Sequence, residues 1–249
     1  MINSGRPLFK ILYAINIPFC GMMVNLNLLK CDAASGIITR KGADSMKLTW
    51  CGHSCFLLES RSGSVVFDPY APGSVPGLVL PTLRADAVIC SHEHADHFYP
   101  GGVTLSGRKP DFEIRRFDCW HDDVHGAKRG KNTMTLVEAD GLRVLHMGDL
   151  GHMLSPEQIA ALGRVDVLMI PVGGFYTIDA RQAAELARKI APAVTVPMHY
   201  RGDGFGYDVI APVGDFLRLM DNVVMLDDNV IEPEKLDAPV VAVPKCPRG

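Results

Sequence analysis

From residue 46 onward the chain alternates apolar and polar positions in short runs, separated by residues that favour turns. Residues 47–50, 55–59 and 64–68 each read as a strand, with Arg61-Ser62-Gly63 as the turn joining the last two. This pattern predicts an antiparallel opening. Residues 87–90 form a brief apolar run that leads directly into a group of histidines, which places that group on a loop at a strand end. Residues 113–119 and 133–137 read as further strands, and 142–146 as another after the turn Asp140-Gly141.

Helical signals come later. Ser155 can cap a helix with Pro156 at its first position, running to Leu162 and stopping at Gly163. Asp179 opens an alanine-rich helix over 180–190, and Phe216, Leu217 and Met220 centre a third over 209–220. Residues 166–170 and 194–196 are buried-strand candidates. Strands first, then strand and helix in alternation, imply an α/β protein with two sheet layers and helices outside. No internal repeat or low-complexity linker divides 46–249, which reads as one domain.

Residues 1–45 do not share the pattern. Arg6 and Lys10 precede an apolar stretch over 11–29 that superficially resembles a signal peptide or membrane anchor, but Asn16, Asn25 and Asn27 interrupt it and no small-residue cleavage site follows. The expectation is a weakly ordered extension, or translation that truly begins at Met46; a genuine anchor is the alternative.

The chain has 249 residues and 47% hydrophobic positions, ample for a buried core. Its net charge of -3, with only short basic pairs at Arg115-Arg116 and Lys128-Arg129, offers no electrostatic footprint for nucleic acid. No nucleic-acid or membrane partner is expected, and self-association is left open. Seven cysteines without repeated spacing read as reduced thiols, which favours the cytoplasm.

The densest chemistry lies in His92-Glu93-His94-Ala95-Asp96-His97, four potential metal ligands within one loop. Imidazole and carboxylate suit zinc and similar divalent ions, and alternating ligands in a tight loop can serve two adjacent cations. The plainer reading is a solvated polar loop. A helical His-Glu-x-x-His zinc site is excluded by the histidine spacing. Asp149 and His199 each follow an apolar β-like run, as the cluster does, and so can reach the same sheet edge.

The cluster resembles the His-x-His-x-Asp-His signature of the metallo-β-lactamase superfamily. The resemblance continues through Gly52-His53-Ser54-Cys55-Phe56, Phe67-Asp68-Pro69, His121-Asp122-Asp123 and His146-Met147-Gly148-Asp149-Leu150-Gly151-His152, then Pro171-Val172-Gly173-Gly174 and Pro197-Met198-His199-Tyr200. It is most similar to the branch containing ascorbate-6-phosphate lactonases and many uncharacterised hydrolases. The resemblance implies a four-layer αββα sandwich, the metallo-β-lactamase fold, with metals at one sheet edge. It also implies that His92 and His94 bind one cation with a third histidine, that Asp96, His97 and His199 bind a second, and that Asp149 bridges both. His121 follows a strand-like run, where the family places the third histidine; His125 lies deeper in a loop and is the alternative.

Around that set, Asp122 and Asp123 are expected to be hydrogen-bond acceptors, either within their loop or towards imidazoles that they orient. The resemblance places His53 and Asp68 near the metals, Asp68 in a structural role. His152 can donate a proton to a leaving group, although a surface-loop histidine is an equal reading. Tyr176 and Arg129 can contact substrate, with an ordinary surface role preferred, and Gly173-Gly174 reads as a tight turn.

Two divalent ions, zinc first and manganese or ferrous iron as alternatives, would sit about 3.5–4 Å apart and share a water that loses its proton near neutral pH. Asp96, Asp149 and His152 are then the expected catalytic residues. No Gly-x-Ser-x-Gly elbow, P-loop or dinucleotide fingerprint suggests another mechanism. The expected activity is hydrolysis of a small ester, lactone or phosphodiester, the first two slightly ahead. The alternatives are an iron-containing oxidative enzyme on the same fold and a non-catalytic metal-binding or regulatory protein.

Overall fold

The structure, a computed structural model, describes residues 29–31, 38–40 and 45–247. The chain separates into two compact units, Met1–Ala43 and Asp44–Gly249. In the first, strands β1 (Leu29–Cys31) and β2 (Ile38–Arg40) pair antiparallel. The rest of the stretch read as a conceivable anchor, residues 11–28, lies outside the described residues. Among the described residues no helix is long and apolar enough to cross a membrane.

The second unit opens with the expected antiparallel strands β3 (Lys47–Gly52), β4 (Cys55–Ser60) and β5 (Gly63–Phe67), followed by β6 (Leu83–Ala85), β7 (Ala87–Ile89) and β8 (Val103–Leu105). Next come β9 (Glu113–Trp120), β10 (Lys131–Ala139), β11 (Leu142–His146), helix α1 (Pro156–Leu162), β12 (Val167–Pro171), helix α2 (Ala180–Ile190) and β13 (Val194–Met198). A short helix α3 (Gly214–Leu217), then β14 (Val223–Met225), β15 (Val230–Ile231) and β16 (Val240–Val243), complete it. Both longer helices begin where their caps predict: Ser155 and Asp179 each form a capping box with the glutamine three residues on.

Seven strands form one sheet in the order β14-β16-β13-β12-β11-β10-β9, and five form another in the order β15-β3-β4-β5-β7. Side-chain alternation shows how they stack. Phe56, Leu58, Val65 and Phe67 enter the main core with residues of the larger sheet, whereas Cys55 and Val66, one step out of phase, enter a second cluster with Tyr70, Val75 and Leu78. The sheets thus pack face to face, and β11 to β13 are near-continuous buried runs, as parallel strands covered on both faces require. Leu162 of α1, Leu186 of α2 and Phe216 of α3 all join the main core.

The outer face of the five-stranded sheet is covered among the described residues by side chains of the Tyr70–Leu78 loop and by the β6–β8 pair. One sequence expectation needs correction. The helix expected over 209–220 is confined to α3, because the preceding backbone is engaged elsewhere: Ala211 N–H donates to the Gly173 carbonyl, and Arg201 N–H donates to that of Ala211.

We propose that the folded domain starts at Met46. Its side chain is 1% exposed within the main core, and Ser45 Oγ donates to Glu232 just ahead of it. A chain beginning at Met46 is expected to melt at the full-length temperature and to keep its activity. Insolubility or loss of turnover on truncation would make the extension part of the domain.

Candidate metal centre

The strand ends assemble the site. His92, His94, Asp96 and His97 occupy the loop leaving β7, His121 directly follows β9, Asp149 lies just past β11, and His199 directly follows β13. Strands β5 and β7, and β11 to β13, run parallel, so these loops open at carboxyl ends of strands, where open α/β sheets hold their ligands. All seven sequence-selected metal ligands come together in this way.

Their donor atoms form overlapping groups, each within 4.8 Å internally: His92 with His94 and His121; His92 with His97 and Asp149; and Asp96 with His97, His199 and a residue not assigned as a ligand from sequence, His53. Asp149 Oδ2 lies 3.2 Å from Nε2 of His97, of His121 and of His199, and 4.0 Å from that of His92. One carboxylate oxygen therefore stands between the groups. His125 is exposed, beside Trp120 at 6.2 Å between ring centroids, and belongs to no group.

Electrostatics within the pocket suit a cation. Burial pushes His53 down to about 4 and His92 to about 3, so both rings are neutral at pH 7 and no proton must leave before they coordinate. Burial opposes charge on Asp149, but the nearby His199 and His97 outweigh it and hold the carboxyl well below its usual range. Several buried atoms have no hydrogen-bond partner, among them both nitrogens of His53 and His199, Nε2 of His97 and Oδ1 of Asp149. Each such atom ordinarily costs about 1–3 kcal/mol. Imidazole and carboxylate donors left without partners and converging on one point fit a divalent cation.

Neighbouring groups aim these donors. Asp68 Oδ2 accepts from His97 Nδ1 at 2.7 Å and from Ser91 Oγ at 2.7 Å, while Oδ1 accepts from Ser91 N–H at 2.7 Å. Asp68 is thus structural in a specific sense: it fixes the ring of His97 and the backbone entering His92. Asn132 Oδ1 accepts from Asp149 N–H at 2.9 Å, and a Cβ on Gly148, which has φ +55, would strike that same oxygen and Ser91. His146 Nε2 donates to the Ser54 carbonyl at 2.9 Å and Nδ1 accepts from Gly148 N–H at 3.1 Å, tying the Asp149 loop to the turn that carries His53. Gly173 lies so close to the His199 carbonyl that any Cβ would overlap it; the tight turn of the sequence reading is at Gly174, with φ +64.

Of the two roles expected for Asp122, the structure shows the loop one: desolvation opposes its charge, but backbone N–H groups of Arg129, Gly126, Val124 and Lys128 hold it down at about 2. Asp123 is a surface partner of Lys128 at 3.2 Å. His152 belongs to none of the donor groups; its Nε2 accepts from Trp120 N–H at 3.2 Å and its Nδ1 lies 2.9 Å from the Met153 carbonyl, so both nitrogens serve the backbone and neither is left to protonate a leaving group. Arg129 stacks over Phe175 and Tyr176 at 6.0 and 5.5 Å, and Tyr176 in turn faces His199. Sequence reasoning missed Tyr207, whose ring is 5.8 Å from that of His53 and whose hydroxyl donates to the Ser74 carbonyl.

This geometry has known relatives. Residues 47–199 match the beta-lactamase superfamily domain, and the chain belongs to that family. It is 30% identical over 184 residues to the UPF0173 protein PF0020 of Pyrococcus furiosus, covering 62% of this chain and 83% of the relative. It is 29% identical to a UPF0173 metal-dependent hydrolase of Archaeoglobus fulgidus, with the same coverages of 62% and 83%. Among solved structures it is similar to a Thermotoga maritima protein described as a candidate zinc-dependent hydrolase of the metallo-beta-lactamase superfamily, with 35% identity and a TM-score of 0.64 over 81% of this chain and all of that one. The latter two of these relatives are thus named metal-dependent hydrolases, the last of them within the metallo-beta-lactamase superfamily.

Proposed function

We propose that the enzyme works with two adjacent divalent cations, zinc first and manganese or ferrous iron as alternatives, and hydrolyses a small ester or lactone, with phosphodiesters as the second substrate class. The observation that carries this reading is the single Asp149 oxygen 3.2 Å from His97, His121 and His199, which links donors of both groups. His92, His94 and His121 would hold the first ion, Asp96, His97 and His199 the second, and Asp149 both. Such a pair supplies an acidified water and a Lewis acid for the scissile oxygen.

The chain's own groups prepare the rest. Asp149 and Asp96 enter as carboxylates and offset cationic charge, Asp96 because His53 and His97 outweigh the effect of its burial. Asp96 is partly exposed, and its part in turnover would be to hold the second ion and offset its charge. We assign His152 to positioning, since its ring ties Trp120, next to His121, to the loop beyond Asp149. Cys51, Cys55, Cys90 and Cys119 form no disulfide, which supports a cytoplasmic enzyme acting on a small molecule.

Zinc- or manganese-loaded protein assayed against lactones, esters and phosphodiesters should turn over a lactone or ester, and a chelator should abolish the rate. Iron with redox-active spectra after anaerobic purification would favour the oxidative alternative, and tight metal binding without turnover a regulatory one. His121→Ala is expected to lose first-site metal and activity while His125→Ala keeps both, because only His121 reaches Asp149. Metal analysis of both variants decides this; full occupancy in His121→Ala would overturn the assignment.

A further inference from the structure

We infer that His53 is an additional protein donor to the second cation, giving that position five side-chain ligands: His53, Asp96, His97, Asp149 and His199. The inference rests on the two-ion reading above and adds a ligand that the signature motifs do not supply.

Position is the first argument. His53 Nε2 lies 3.3 Å from Asp96 Oδ2, and His53, Asp96, His97 and His199 each offer a donor atom within 4.8 Å of the others. Donors about 2.0–2.2 Å from one zinc-like cation stand about 3.3 Å apart at tetrahedral angles and at most about 4.4 Å apart when opposed. The His53–Asp96 separation matches the first figure, and the group as a whole needs only a small contraction. The ring is 4.2 Å from that of His199 and 5.2 Å from that of His97, centroid to centroid, so it belongs to the same wall of the pocket.

Lack of any other occupation is the second. His53 is 1% exposed, and its close polar contact, Nε2 to Asp96 Oδ2 at 3.3 Å, falls short of full hydrogen-bond geometry while Nδ1 has no partner at all. A neutral imidazole buried in this state is unusual, because buried polar groups nearly always find partners. A cation on the Asp96 side would give Nε2 its partner.

Construction of the turn is the third. Gly52, the last residue of β3, and His53, which opens the turn to β4, have φ of +101 and +52, both left-handed, and the register shifts between Trp50 and Gly52. The His53 carbonyl accepts from Trp50 Nε1 at 2.9 Å and from His199 N–H at 3.4 Å. The backbone that carries His53 is therefore fixed to the backbone that carries His199. A side chain with a merely steric role would not need this registration to a metal-binding residue. Five protein donors exceed the four usual for zinc, so the second position would suit an ion that accepts a larger shell.

The test uses full-length protein and zinc. In the unaltered chain, side-chain nitrogen NMR of the nine histidines should show metal-induced shifts at His53, His92, His94, His97, His121 and His199, leaving His125, His146 and His152 unshifted by coordination. Calorimetric titration of His53→Gln should then show second-ion affinity at least about tenfold weaker, the lower range for losing even an outer partner of a metal site. Glutamine can still hydrogen-bond to Asp96, so wild-type affinity in His53→Gln would show that His53 only orients Asp96 and would overturn the proposal. An unshifted His53 nitrogen in the zinc-loaded wild type would overturn it equally, without any variant that has to fold. If the wild type binds a single ion, the two-ion reading fails, and the His53 nitrogen shift still decides whether this residue is a donor.

Discussion

Asp149→Ala is expected to lower turnover by orders of magnitude and to reduce bound metal from about two ions toward one per chain, the two-ion starting point following from the clamp mechanism. The carboxylate is buried, and its Oδ2 is 3.2 Å from Nε2 of three histidines that belong to both donor groups. Alanine removes the shared donor and also the negative charge that lets two cations stand close together. The second ion should weaken and the attacking water lose its placement in the same step, so added zinc or manganese should restore little of the rate. Asp123→Ala is the comparison: that carboxylate pairs with Lys128 at the surface, 3.2 Å away, and its loss should leave metal content unchanged. Full metal content with near-normal turnover in Asp149→Ala would replace the bridged pair with a mononuclear enzyme centred on His92, His94 and His121.

Much of this site was legible because each expected ligand follows an apolar β-like run, and strand ends are where parallel sheets present loops. The same reasoning found the caps at Ser155 and Asp179, whose local hydrogen bonds need no knowledge of the rest of the chain. What escaped depends on contacts between distant segments. His53 was expected near the metals, but its contact with Asp96 was not, because it arises only where β4 pairs with β5, and β5 with β7, so that the turn before β4 and the loop after β7 reach one edge. His152 looked available for proton transfer because it is near Asp149 in sequence, yet Trp120 N–H claims one nitrogen from another strand end. The helix expected over 209–220 is shortened to α3 for a similar reason, the backbone before it being drawn toward Gly173 and Arg201. Strand β16 enters the large sheet between β14 and β13, an order that local periodicity does not encode.

Asp68→Asn is expected to weaken the second ion about as much as Asp68→Ala, by roughly 10–100-fold, the range for losing an outer partner of a metal-binding histidine. Asp68 Oδ2 accepts at 2.7 Å from His97 Nδ1; burial opposes charge on this ring, but Asp149 and Asp68 outweigh it and hold His97 protonated, so an arriving cation would displace the Nε2 proton while Asp68 keeps the one on Nδ1. Asparagine preserves shape and can still accept from Ser91 N–H with its carbonyl oxygen. Its amide nitrogen, however, would then meet Nδ1 as a donor, and His97 would have to move its proton to Nε2 to accept from it. That tautomer points N–H where the cation needs a lone pair. Asp68→Ala loses metal by another route, since the ring is no longer held and the Ser91 backbone before His92 loses its acceptor. It should also destabilise the fold by about 3–5 kcal/mol, as expected when one member of a buried charged pair is removed. The two variants should therefore separate in thermal unfolding, with asparagine the more stable, while converging in metal titration. Wild-type metal affinity in Asp68→Asn would show that His97 does not depend on this tautomer, and that Asp68 matters only as support for the loop.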